Sequence, residues 1–142
     1  MTISAILAKH DGAVVTIARG TIVREAVAML AERRIGALPV VDGGEVVGVV
    51  SERDIIYHLA ESAAEVMDWP VERIMSAPAI TVDPERSILS ALSLMTNRRI
   101  RHLPVVTDGA LTGIVSIGDL VKFRLDQIET EAEAMLAYIQ TA

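Results

Sequence analysis

Arg33-Arg34-Ile35-Gly36-Ala37-Leu38-Pro39-Val40-Val41 returns 65 positions later as Arg98-Arg99-Ile100-Arg101-His102-Leu103-Pro104-Val105-Val106. Just downstream, Gly48-Val49-Val50-Ser51-Glu52-Arg53-Asp54 returns as Gly113-Ile114-Val115-Ser116-Ile117-Gly118-Asp119. Aligned without gaps from Thr16/Thr81 to Ile56/Val121, 14 of 41 pairs are identical. Unrelated segments of ordinary composition match at roughly one position in ten. The chain is therefore an internal duplication, and whatever one copy folds into, the other must fold into as well.

Working outward, each copy carries the same succession of signals. Val23, Ala26, Val27 and Leu30 fall at helical spacing, as do Ile88, Ala91, Leu92 and Met95, so each copy opens with a one-faced amphipathic helix. Thr21 is a candidate cap for the first; Asp83-Pro84 or Ser87 would open the second. A short apolar strand follows, residues 37–41 or 102–106. Asp42-Gly43-Gly44 or Asp108-Gly109 then makes a tight turn, and the strand returns over 46–50 or 111–115. A second helix begins at Ser51 or Ser116. Ahead of each unit lies an extended stretch, Val14-Val15-Thr16 or Ile80-Thr81-Val82. The predicted fold is mixed α/β (α+β): two β-α-β-β-α repeats related by pseudo-symmetry. Each is too small to bury its apolar sheet face alone, so the two pack sheet to sheet. Residues 1–142 form one module, with repeat one over about 1–66 and repeat two over about 67–125. Residues 61–68 are expected to prolong the second helix, with Pro70 or Pro78 breaking the path into the next strand.

A C-terminal helical extension is expected over about 119–141. Val121, Leu125, Ile128, Ala132, Met135 and Ile139 are spaced 4, 3, 4, 3, 4, a seven-residue apolar stripe. It suits either docking on its own domain or a helix–helix contact between two copies, and fewer than three heptads leave both open.

Composition narrows the function classes. Half of the 142 residues are apolar (51%) and only 3% are aromatic, so the core is aliphatic and no platform for stacking bases is available. Thirteen Lys and Arg against 19 Asp and Glu give a net charge of −6, a field that repels nucleic acid and anionic membranes. There is no cysteine, which removes disulfides and thiolate metal sites and fits a reducing compartment. The longest apolar run, 35–41, is interrupted by Gly36 and Pro39 and is far short of a membrane span. The start Met1-Thr2-Ile3-Ser4 has no signal-peptide character. These features predict a soluble, cytoplasmic protein.

The sharpest chemical signal is Ser-x-x-Asp at the mouth of each second helix, Ser51 with Asp54 and Ser116 with Asp119. A hydroxyl and free amides at a helix N-terminus suit a phosphate. A carboxylate one turn inside offers two acceptors that match the two hydroxyls of a ribose. The same spacing also describes a capping box that serves only the backbone. Its recurrence after a Gly-x-Val strand end favours a duplicated site, although periodicity does not separate the two. Arg33-Arg34 and Arg98-Arg99 close helices, where positive charge complements the dipole. His10, His58 and His102 lack metal-ligand spacing, so no metal site is expected. No Walker loop, Gly-x-Gly-x-x-Gly or Gly-x-Ser-x-Gly occurs. Asp54 and Asp119 have no base partner evident in the sequence, which argues against an enzyme.

These motifs, with the lead-in Val71-Glu72-Arg73-Ile74-Met75, resemble a pair of cystathionine-β-synthase (CBS) domains, a Bateman module, over about residues 3–123. The resemblance implies a regulatory, non-catalytic sensor of adenosine nucleotides (AMP, ADP, ATP, NAD or S-adenosylmethionine). They would bind in clefts that each draw on both copies, and no catalytic cofactor is expected. Carried onto this chain, one site joins Ser116, Gly118 and Asp119 to Val15, Ile35, Gly36, Ala37 and Pro39. The Asp would hold the ribose and the Ser the phosphate, with small residues making room for adenine. The mirror site joins Ser51 and Asp54 to Ile80, Ile100, Arg101 and His102. There Arg101 and His102 replace Gly36 and Ala37, narrowing the base pocket while adding phosphate donors, with Arg53 a further one. The Asp119 site is therefore favoured for an adenosine moiety. The expected partners are the nucleotide, a second copy as homodimer, and an unidentified protein regulated in trans. The alternative is a structural module that self-associates through its helices and whose clefts are vestigial.

Overall fold

The computed structural model describes residues 1–10 and 13–141. After a short helix α1 (Ile3–Leu7), the first copy runs β1 (Ile17–Ala18), α2 (Val23–Arg33), β2 (Ala37–Asp42), β3 (Glu45–Ser51) and α3 (Glu52–Ser62). The second runs α4 (Ile88–Arg98), β4 (His102–Thr107), β5 (Ala110–Ser116) and α5 (Ile117–Thr141). β2 and β3 pair antiparallel from Ala37↔Ser51 to Asp42↔Glu45; β4 and β5 do so from His102↔Ser116 to Thr107↔Ala110. Both hairpins carry a register shift at the same place, after Val40 and after Val105. The duplication thus extends to an irregularity that sharpens strand twist. The two small sheets face each other through β3 and β5, giving the mixed α/β fold with a C-terminal helix that the repeat predicts.

Three local expectations are corrected. The outer strand of copy one lies at Ile17–Ala18, parallel to Val40 and Val41, rather than at residues 14–16. In copy two only Val82 pairs, with Val105. Thr21 does not cap α2, which begins after Ile22 without a side-chain cap. A backbone acceptor does the work instead: the first amide of the helix, Val23 N–H, donates to the Trp69 carbonyl at 2.8 Å. Ser87 does cap α4, accepting from the Ser90 amide at 3.1 Å. Residues 61–68 do not continue one α-helix. α3 stops at Ser62 because Ala63 adopts φ 54°, and a 3-10 turn (Ala63–Asp68) follows.

The acceptor on Trp69 belongs to a cross-over that the linear repeat conceals. Ile88 N–H donates to the Met1 carbonyl at 3.1 Å, the counterpart of Val23 on Trp69. Thr2 bridges Ser87 as Pro70 bridges Ile22. Val66, Val71 and Ile74 fill the core of Val23, Leu38, Val40 and Val50. Ile3 and Ile6 fill the core of Ile88, Met95, Leu103 and Val115. Each copy is completed by the lead-in segment of the other, which binds the halves into one body. No described helix is long and apolar enough to cross a membrane.

Candidate functional site

Gly36, just before β2, packs on His102 at the start of β4, and both residues line each of two clefts. One cleft, of about 310 Å³, is lined by Ser51, Arg53 and Asp54 of copy one and by Ile80, Ile100, Arg101 and His102 of copy two. All seven residues expected of the mirror site are brought together. The other cleft, of about 650 Å³, is lined by Ser116 and Asp119 of copy two and by Val15, Ile35, Gly36 and Ala37 of copy one. Two expected residues do not line it. Pro39 is buried in the sheet opposite Val49, on the strand face opposite the one that Leu38 and Val40 turn to the core. Gly118 is exposed in the first turn of α5.

The Ser–Asp pairs do form capping boxes. Ser51 N–H donates to Asp54 Oδ2 at 2.9 Å, and Asp54 N–H donates back to Ser51 Oγ at 3.2 Å. Ser116 N–H donates to Asp119 Oδ2 at 2.9 Å, and Asp119 N–H donates to Ser116 Oγ at 3.1 Å. The first helical amides are also satisfied, Glu52 by the Gly36 carbonyl at 3.0 Å and Ile117 by the Arg101 carbonyl at 2.8 Å. Between them the amides of Arg53 and Gly118 have no acceptor among the described residues. The Asp54 cleft, which Arg53 lines, therefore presents a helix-start N–H with positive dipole character beside a carboxylate.

The two carboxylates differ. Asp54 Oδ1 accepts from Ser76 Oγ at 3.3 Å, whereas Asp119 Oδ1 receives no donor among the described residues. Asp119 thus keeps a lone acceptor oxygen for a ligand hydroxyl. The walls differ as well. His102 lines both clefts and packs on Gly36: a β-carbon at Gly36 would lie 3.3 Å from the imidazole Cε1 and Nε2. Burial lowers the His102 pKa from its ordinary 6.5; Asp119 and Glu52 pull it up, and Arg101 adds to the lowering.

Arg34 and Arg99, predicted only as helix-end charges, line the Asp119 and Asp54 clefts respectively. Each closes its helix in the left-handed conformation, φ 53° and 55°, which turns the chain into the cleft wall at Ile35 and Ile100. Their position immediately before those wall residues was the available signal. Arg34, Arg53, Arg99 and Arg101 make no ion pair with a carboxylate among the described residues, so the cleft rims carry uncompensated positive charge suited to an anion. Lys9 and His10 also line the Asp119 cleft. Sequence reasoning missed them because it did not foresee α1 crossing to the other copy. Among the described residues no group of three or more acids and histidines is placed to hold a metal ion.

The model of the CBS domain matches this chain twice, over residues 7–61 and 71–126. A mitochondrial CBS domain-containing protein of Arabidopsis thaliana, CBSX3, is 37% identical over 123 residues, covering 83% of this chain and 60% of that protein. The chain thus spans under two thirds of that relative's length. A solved structure of a protein with CBS domains from Burkholderia ambifaria superposes with a TM-score of 0.84 at 37% identity, covering 89% of this chain and 95% of that one. The CBS domain pair of protein MJ0100, solved with 5-methylthioadenosine and S-adenosyl-L-methionine, superposes with a TM-score of 0.79 at 26% identity, covering 89% and 98%.

Proposed function

This chain belongs to the CBS-domain family as a tandem pair, and from that premise we propose that it is a regulatory sensor that binds adenosine nucleotides without transforming them. The observation that carries the reading is the composition of each cleft. A Ser–Asp helix start from one copy faces a wall from the other, with arginines at the rim that pair with no carboxylate among the described residues. Asp119 would hold a ribose through its lone oxygen, Ser116 and Arg34 would meet a phosphate, and Val15, Ile35 and Ala37 would flank the base, with Ile80 playing that part in the other cleft. The adenosine ligands of the MJ0100 pair support the same ligand class. AMP, ADP, ATP and NAD are all candidates, and the Asp119 cleft is the preferred adenosine site. The output in this reading is conformational: a ligand shifts the module by its differential affinity for two arrangements. Action in trans on a protein partner, self-association into a homodimer and a cytoplasmic location complete the proposal; the last is supported by the absence of cysteine.

Thermal unfolding against adenosine, AMP, ADP, ATP, NAD and S-adenosylmethionine tests it. A ligand at 100 times its Kd adds about 2.7 kcal/mol, about 5–10 °C at this size, and Asp119→Ala removes that shift. If no adenosine compound moves the midpoint, the sensor reading fails. The second reading, a structural module with vestigial clefts, then stands, favoured by the reciprocal caps that already satisfy both Ser–Asp pairs.

A further inference from the structure

Only the first turns of α5 pack on the body of the protein. Leu120 is fully buried, Ile117 and Phe123 support the second core, and beyond Gln127 every described residue is exposed. The stripe runs along this free arm: Leu125 is 60% exposed, Met135 66% and Ile139 64%, with Leu136 and Tyr138 exposed beside it. A lone helical arm with an apolar face has no packing to hold it in water.

We infer that this arm pairs in parallel, in register, with α5 of a second copy of the chain. The proposal rests on the self-association stated above and adds its geometry. In heptad terms Leu125, Ala132 and Ile139 take the a positions, and Val121, Ile128 and Met135 take the d positions. Arg124 then falls at g and Glu129 at the following e, so in a parallel pair Arg124 meets the partner's Glu129, once on each side. Among the described residues Arg124 bonds Gln127, at 3.0 Å, and pairs with no carboxylate. An antiparallel pair of the same overlap sets Glu129 against the partner's Glu129 and Glu131 against the partner's Glu131, like charges across a low-dielectric seam. A shifted antiparallel pair relieves that repulsion but leaves one end of the stripe in water, Met135 and Ile139 or Val121 and Leu125 according to the direction of the shift. The parallel register alone covers the whole stripe without opposing like charges.

Because the chain has no cysteine, the register is read directly by Met135→Cys in the full chain. In the parallel pair position 135 faces itself, within disulfide reach; in the antiparallel overlap it faces position 125, and the two 135 positions lie about 15 Å apart along the axis. Mild oxidation is expected to give a covalent dimer with Met135→Cys and not with Glu133→Cys on the outer face. Sedimentation of Arg124→Glu is expected to show dimerisation weakened about fivefold, restored by adding Glu129→Arg. A dimer that does not cross-link at 135 overturns the parallel pairing and leaves self-association standing. A chain that sediments as a monomer overturns both, and neither result bears on nucleotide binding.

Discussion

The Asp119 cleft and the Asp54 cleft descend from one pattern and end as different chemical environments. Both keep the Ser–Asp helix start, the helix-closing arginine and the following isoleucine. Ala37, with Gly36 before it, walls the larger cleft, about 650 Å³; His102, with Arg101 before it, walls the smaller, about 310 Å³. The backbone frame and the capping chemistry are what a repeat must retain to fold. The wall positions 36/101 and 37/102 make none of the Ser–Asp capping bonds, and there the copies diverge. In the function proposed above, ligand preference would reside in this divergence: the roomier cleft would take an adenosine moiety and the narrower one, with Arg101 in its wall, an anionic tail.

Erasing the difference gives the largest expected effect. Arg101→Gly with His102→Ala rebuilds the second wall in the image of the first. Loss of the Arg101 charge and of the His102 ring donor is expected to weaken polyphosphate binding at the Asp54 cleft about 10- to 100-fold. Affinity for unphosphorylated adenosine is retained or improved, measured by calorimetric titration. Equal losses for adenosine and ATP would mean that the wall shapes the fold rather than the preference.

The two copies also differ behind their bulges. A β-carbon at Gly48 would lie 2.6 Å from Met75 Sδ and 2.9 Å from the Ser76 carbonyl oxygen, a backbone atom. At Gly113 it would meet only the tip of Leu7, at 2.5 Å. Gly48→Ala is expected to cost about 1–3 kcal/mol because backbone must move. Gly113→Ala should cost less than about 1 kcal/mol because a side-chain end can turn aside. Urea denaturation of both variants measures the pair, and the reverse order would show that the cross-over segments are not equally anchored.

The smallest effect is a pH dependence confined to the second wall. His102 has a folded pKa below 6.5, chiefly through burial. As pH falls through 6.5 the unfolded chain takes up a proton before the folded one, so stability declines between 6.5 and the folded pKa and holds a constant deficit below it. His102→Gln should flatten that window in thermal midpoints measured from pH 7.5 to 5. A bound phosphate beside His102 would raise its pKa, so binding near pH 6 should take up protons.

Much of this was legible because a duplication reports twice. The hairpins, the helices beginning at Glu52 and Ile117, and the antiparallel register follow from Leu-Pro-Val-Val and Gly-x-Val-Ser appearing in both copies. What escaped reading is what the copies exchange. Thr21 looked like a cap because Trp69, which supplies the real acceptor, is 46 positions away from Val23 in the sequence. Lys9 and His10 reach the Asp119 cleft only because α1 packs on the other copy's core. Side-chain spacing reports local periodicity and is blind to such crossings. The Ser–Asp pairs were legible as motifs, yet their capping geometry is the one both readings require, so a ligand must decide.

Calorimetric titration of AMP into the full chain, repeated with Asp119→Ala and Asp54→Ala, tests the central claim most directly. The account predicts saturable binding to the native chain, abolished or reduced at least tenfold by Asp119→Ala and less affected by Asp54→Ala, consistent with loss of a charged ribose acceptor. Absence of binding by AMP and every other adenosine compound, or affinity indifferent to both substitutions, would contradict it.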